Sequence, residues 1–161
     1  MKKIIKVVFS LSFVFYLFAL VVLLFLGTRG YIWADLTLVE YIKSSSNFIP
    51  FKTISTYIKA FFDGSMNMDS PIKNLAGNLI MFLPMGIYLP YFIKRINKAS
   101  GFSISMIILL FVIEVTQLVL RRGSFDIDDF ILNMFGALIG FGIWKTKFVQ
   151  KLHSSYPAKS L

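Results

Sequence analysis

The chain has 161 residues, of which 57% are hydrophobic and 16% charged, with 18 Phe and a formal net charge of +9. A water-soluble domain of this length has too little interior to hide so many apolar side chains, so the composition points to a single integral membrane domain. The absence of Cys excludes disulfides, thiol catalysis and Cys-ligated zinc. The basic residues lie between apolar runs and form no single patch, which argues against nucleic acid as a partner and for membrane lipids.

Val7 to Leu26 is apolar apart from Ser10 and Ser12, long enough to span a bilayer, and is preceded by Lys2, Lys3 and Lys6. Gly27-Thr28-Arg29 is a poor signal-cleavage site, so a retained first span over about 7–26 is expected. The connection that follows, Gly27 to Lys73, is too long to be a bare loop. Within it Phe51, Ile54, Tyr57, Ile58 and Phe61 recur at helical spacing. They predict an amphipathic helix over about 50–62, with Pro50 in its first turn, either lying in the membrane interface or packed on the bundle.

A second span is expected over about 75–93, kinked at Pro84, with Asn74 and Asn78 on one face. Lys94, Arg95 and Lys98 then form a basic loop. A third span over about 102–120 carries Glu114 and Gln117. At helical spacing these share a sector of about 60° with Arg121. A fourth span over about 127–144 is entered through Asp126, Asp128 and Asp129. Asp126, Asp129, Asn133, Gly136 and Gly140 step by three and four along one seam, and Gly136 and Gly140 make a GxxxG close-packing face. His153 is a lone residue in a basic tail, expected to be solvated.

The N-terminus, the 94–101 loop and the C-terminal tail together hold 10 Lys and Arg and no acid, against 7 Lys and Arg on the other side. The positive-inside rule therefore places both termini in the cytoplasm. Asn74 and Asn78 then lie in the first turns of span two, Asp129 and Asn133 in the first turns of span four, and Glu114, Gln117 and Arg121 in the last turns of span three. All converge on one level near one membrane face, whichever way the chain is oriented.

Intramembrane polar groups are costly, and an acid within a span marks a functional site by default. The candidate ligand-binding set is Asn74, Asn78, Glu114, Gln117, Arg121, Asp126, Asp129 and Asn133. Such an array can hydrogen-bond a polar headgroup, or Glu114 can act as a base. Carboxylates among Glu114, Asp126, Asp128 and Asp129 can hold Mg²⁺ or Ca²⁺ and through it a lipid diphosphate, with Glu114, Asp126 and Asp129 as the metal candidates. Plainer roles compete. Asp126 and Asp128 suit helix capping, Asn78, Gln117 and Asn133 suit interhelical hydrogen bonding, and Glu114 can pair with Arg121 or Arg122.

Three blocks carry a family resemblance. They are Asn47-Phe48-Ile49-Pro50-Phe51, then Asn74-Leu75-Ala76-Gly77-Asn78 with Phe82, Pro84 and Gly86, then Glu114-x-x-Gln117, Phe125-Asp126-Ile127-Asp128-Asp129 and Asn133-x-x-Gly136-x-x-x-Gly140. In order and spacing they resemble the VanZ-like family of bacterial membrane proteins, over about 47–144. Many family members carry an Arg just before the Phe-Asp step, where this chain has Gly123-Ser124, with Arg121 and Arg122 slightly earlier.

The resemblance implies an all-α, multi-pass protein of the bacterial cell membrane and a link to teicoplanin-type glycopeptide resistance, with no settled reaction. Three classes follow. The first is a non-enzymatic factor binding a lipid headgroup, a lipid-linked cell-wall precursor or a lipoglycopeptide. The second is a metal-dependent enzyme on a lipid-linked phosphate, and the third a small transporter.

Overall fold

A computed structural model describes residues 2–26, 36–147 and 149–150. The Gly27–Arg29 segment used to weigh signal cleavage, and His153 in the tail, lie outside the described residues. Helix α1 (Lys2–Val21) runs on into a π-helical turn, Val22–Leu26. After it come α2 (Leu38–Ser44), the short strand β1 (Ser46–Asn47) and α3 (Lys52–Asp63). Helices α4 (Asp69–Met81) and α5 (Leu83–Phe92) follow, with a 3-10 turn at Lys94–Ile96. Then come α6 (Ala99–Val119), β2 (Phe125–Asp126) and α7 (Ile127–Trp144).

Among the described residues, four helical segments are long and apolar enough to cross a membrane: Lys6–Leu26, Asp69–Phe92, Ala99–Val119 and Ile127–Trp144. Their outward faces are aliphatic and aromatic, with Val7, Leu11, Val14, Phe15 and Phe18 on α1 and Ile104, Ile108, Phe111 and Val112 on α6 exposed. In lipid those faces need no protein partner.

The second span is interrupted, as Pro84 requires, but the break falls earlier. Phe82 separates α4 from α5, and Pro84 sits in the first turn of α5, where its missing N–H is tolerated. The Met85 N–H closes a tighter turn onto the Phe82 carbonyl at 3.1 Å. The Met81 carbonyl accepts instead from the Tyr16 hydroxyl of α1 at 2.9 Å. A side chain from a neighbouring span thus satisfies a carbonyl at the break, as a low-dielectric surrounding demands. Around this contact Phe9, Phe13 and Tyr16 of α1 pack against Tyr88, Tyr91 and Phe92 of α5.

Helix α7 is the central element and packs most extensively on α5 and then α4. Glycine permits this. A Cβ at Gly136 would overlap the Leu79 carbonyl oxygen, one at Gly140 the Leu83 carbonyl oxygen, and one at Gly86 the Ala137 carbonyl oxygen. The GxxxG seam therefore meets backbone, and Gly86 answers it from the opposite helix. The core beside this contact contains Phe82, Met85, Phe102, Met106, Leu110, Ala137, Phe141 and Trp144, with Phe102 and Phe141 stacked at 4.5 Å between centroids.

Residues 36–68, ahead of the second span, carry helices and a short strand. Helix α2 opens with a capping box in which Glu40 N–H donates to the Thr37 hydroxyl, and the Thr37 N–H and hydroxyl donate to the Glu40 carboxylate. Those bonds hold the Glu40 carboxyl below the usual carboxylate range. The Tyr41 hydroxyl donates to the Gly123 carbonyl at 2.6 Å, and β1 pairs with β2 in parallel, Ser46 opposite Phe125 and Asn47 opposite Asp126.

Helix α3 is amphipathic and begins at Lys52, so Pro50 belongs to the preceding turn and not to the helix. Ile54, Tyr57 and Ala60 turn inward, whereas Phe51, Ile58 and Phe62 form an exposed apolar stripe, extended by Phe48 and Ile49 and flanked by Lys52 and Lys59. The helix thus both packs on the bundle and carries the face of an interfacial anchor.

Candidate functional site

Two polar systems meet at the entry of α7, and they do different things. The first is a clamp. Asp126 caps α7 by accepting the Asp128 N–H at 2.9 Å, and also accepts from the Thr53 hydroxyl at 2.6 Å and the Asn47 amide at 3.1 Å. Asp128 is fully buried, and its two carboxylate oxygens accept the backbone N–H groups of Phe51 at 2.5 Å, Thr53 at 2.7 Å and Ile54 at 3.0 Å.

The first turn of a helix leaves donors without intrahelical partners. In α3 they are met by a carboxylate from another helix, because Phe51 at the N-cap has no capping oxygen. Phe51 also adopts φ 64°, a left-handed conformation unfavourable for a bulky side chain, so the clamp holds a strained turn. Both aspartates are thus committed to architecture, as capping predicts for Asp126. For Asp128 the capped helix is α3, not its own.

The second system is a cavity of about 480 Å³ between the end of α1, α4, α6 and α7. Its polar lining comprises Asn78, Glu114, Gln117, Asp129 and Asn133, with Lys73 and Ser124 also on its wall. Asn78, Glu114, Gln117 and Asn133 are buried. The Asn78 amide donates to Asp129 at 2.5 Å and to Asn74 at 3.5 Å, tying α4 to α7. The Gln117 amide donates to the Leu24 carbonyl at 2.8 Å, fixing the π-helical end of α1 as a wall. The Asn133 side-chain oxygen is buried and has no hydrogen-bond partner among the described residues.

The remaining wall is apolar: Leu23, Leu24, Ile72, Ile80 and Met81. Leu23 is 63% exposed, Ile72 49% and Ile80 62%, so the apolar edge of the cavity continues into the exposed apolar surface of the bundle. The cavity therefore joins a buried polar floor to an exposed apolar surface.

The eight candidate residues separate accordingly. Asn78, Glu114, Gln117, Asp129 and Asn133 line one cavity, and Asn74 stands behind it through its bond to Asn78. Arg121 and Asp126 are not among the lining residues. Helix α6 stops at Val119, and Arg121 takes a left-handed turn with φ 53°, placing its guanidinium 5.8 Å from the centre of the Tyr41 ring. Its helical sector is therefore lost. The proposed metal trio of Glu114, Asp126 and Asp129 does not assemble. Asp126 is drawn away by Thr53 and Asn47, and among the described residues no three His, Cys, Asp or Glu side chains group to hold an ion.

Sequence reasoning did not single out Lys73, whose position before Asn74 was the available signal. It also missed the Leu23–Leu24 wall, which is marked in the sequence only by hydropathy.

Comparison with known proteins bears on this arrangement. The family model described as VanZ/LLP1 matches residues 13–149. The chain belongs to the VanZ/LLP1 family. With four spanning-length helices, it is a multi-pass membrane protein of that family. No curated protein and no solved structure gives a significant match. The matched range takes in both the clamp and the cavity, including Asn47, Thr53, Asn78, Glu114, Asp128, Asp129 and Asn133.

Proposed function

We propose that this VanZ-family protein is a non-enzymatic bacterial envelope factor whose cavity binds the headgroup of a membrane lipid or lipid-linked cell-wall precursor. Bound there, it limits access of a teicoplanin-type lipoglycopeptide. One observation carries the reading: a polar floor built from Asn78, Glu114, Asp129 and Asn133 opens past Leu23, Ile72 and Ile80, which are exposed apolar side chains on the flank of the bundle. An amphiphile fits that mixture, with its headgroup on the floor and its chains on the apolar edge. The family's association with teicoplanin resistance supports the biological setting. The excess of Lys and Arg at the N-terminus, the 94–101 loop and the tail supports cytoplasmic termini and, with them, a cavity on the outer-leaflet side.

Photocrosslinking tests the reading. A phospholipid carrying a diazirine on its headgroup is reconstituted with the full chain, and adducts are mapped by peptide sequencing. Adducts concentrated at Glu114 and Asp129, and reduced by excess unlabelled lipid, are the expected outcome. Adducts spread over both ends of the spans, with no enrichment at the cavity, would contradict it.

A further inference from the structure

Helix α3 carries a face that the bundle does not cover. Ile58 and Phe62 stand four residues apart on one side of it, with Phe61 beside them, and all three are exposed, Phe62 to 88%. Phe48, Ile49 and Phe51 continue this face through the preceding turn and are exposed as well. Water penalises a contiguous patch of such side chains, and hydrocarbon does not.

The turn that brings Phe51 to this face is strained. Its φ is 64°, and the buried Asp128 commits both carboxylate oxygens to holding Phe51, Thr53 and Ile54 in place. A strained turn fixed by a buried carboxylate points to a use for the geometry it imposes, and here that geometry presents an aromatic ring outward.

The level of the face follows from its ties. Helix α7 has 18 residues, about 27 Å at about 1.5 Å per residue, against a hydrocarbon core of about 30 Å. A helix of that length crosses with its first turn at the edge of the hydrocarbon, and Asp128 in that turn fastens the start of α3. The far end of α3 leads through Gly64 to Met68 into Asp69, where the second spanning segment begins, and α3 packs on both α4 and α7. A helix tied at each end to the entry of a spanning helix lies along the membrane surface, not across it.

From these ties we infer that the face formed by Phe48, Ile49, Phe51, Ile58, Phe61 and Phe62 is a phospholipid-binding surface. Its side chains enter the acyl boundary of the leaflet, while Lys52 and Lys59, both exposed, extend to the phosphates. Asp63 stands four residues after Lys59, so the flank carries little net charge and apolar burial sets the seat. So seated, α3 holds the entry of α4, with Ile72 and Lys73 of the cavity wall, at the level of the headgroups. The inference does not depend on what the cavity binds.

The chain has no Cys, so single nitroxide labels test it directly. They are placed at Ile58→Cys and Phe62→Cys on the face and at Thr56→Cys on the polar side, all exposed positions where a label displaces no core contact. The full chain is reconstituted into phosphatidylcholine vesicles. Collision rates are measured with oxygen, which partitions into hydrocarbon, and with a nickel chelate, which stays in water. The logarithm of the oxygen-to-nickel ratio should be positive at 58 and 62 and negative at 56, with the same signs when phosphatidylglycerol is mixed in.

Negative values at all three positions would put the face in water and overturn the inference. So would low collision rates with both reagents at 58 and 62, which would show protein, such as a second copy of the chain, covering the face. Positive values at 58 and 62 only in the presence of phosphatidylglycerol would overturn the claim that apolar burial sets the seat.

Discussion

The Asp128 carboxylate accepts the Phe51 backbone N–H at 2.5 Å across 77 residues of chain, and so fastens the amphipathic helix α3 to the first turn of the central helix α7. Thr53 and Ile54 donate to the same carboxylate. Removing it leaves three donors in a part-buried turn and releases the strain at Phe51.

Replacing Asp128 by Ala should therefore cost about 2–5 kcal/mol locally, the range for breaking a buried polar network. The loss should fall on α3 first. Tryptic cleavage at Lys52 and Lys59 should become fast in detergent, while a slower unfolding transition monitored at Trp144 in the core moves less. Asp126→Ala removes a single N-cap and its side-chain bonds, and should have a smaller effect of about 1 kcal/mol on α7. If both variants leave cleavage at Lys52 and Lys59 unchanged, the clamp does not hold α3.

The glycine seam gives a second contrast. Gly136→Ala and Gly140→Ala place a methyl group on the carbonyl oxygens of Leu79 and Leu83, which are backbone and cannot turn aside. Each should destabilise the folded bundle by more than about 2 kcal/mol, as overpacking at a rigid contact does. Gly142 is helical and exposed, and a methyl group added there would meet nothing within 4 Å, so Gly142→Ala should be neutral or stabilising by up to about 1 kcal/mol. Denaturation in mixed micelles orders the three variants. Equal effects would show that helix propensity, not close packing, governs the seam.

Orientation is directly measurable because the chain has no Cys. Single cysteines at Ser65, between α3 and α4, and at Asn97, before α6, should react oppositely with a membrane-impermeant maleimide in intact cells. Labelling at position 65 alone is expected if the termini are cytoplasmic. Labelling at 97 alone would move the cavity to the inner leaflet and remove the argument for an externally displayed ligand.

The α2 capping box carries a pH dependence. Glu40 is held below its ordinary carboxyl range by Thr37, so its contribution to folding is complete above the unfolded value of about 4.3 and is lost as pH falls through its lower folded value. Amide protection at Glu40, corrected for intrinsic exchange, should fall on acidification in the native chain and be flatter in Glu40→Gln. Identical profiles would show that the box does not hold in the membrane-bound protein.

Much of this architecture is legible in the sequence, for physical reasons that differ by element. The spans announce themselves by length and hydropathy, and the fourth falls on Ile127–Trp144 as its spacing indicates. Helical periodicity also brings Asn78, Glu114, Gln117, Asp129 and Asn133 to one level, because each stands inside a regular helix. Arg121 and Asp126 stand just beyond helix ends, where an angle of 100° per residue has no meaning. Helical projection puts both on faces they do not occupy. Pro84 signals an interruption, and the break falls at Phe82, in the turn before the proline, where Tyr16 of another helix donates to the Met81 carbonyl. Asp128 reads locally as one more acid at a helix start. Its actual role needs a contact between segments far apart in the chain, which no local pattern encodes.

The central claim, that the polar cavity is where this protein works, is tested most directly by teicoplanin susceptibility in a sensitive Gram-positive host. Strains carrying empty vector, the native chain, Glu114→Gln/Asp129→Asn and Asn133→Ala are compared at matched membrane levels. Gly142→Ala serves as a control outside the cavity. Protection by the native chain and by Gly142→Ala, lost in the cavity variants, is the result predicted. Equal protection by the native chain and the cavity variants would contradict the claim and leave those polar residues with a role in helix packing alone.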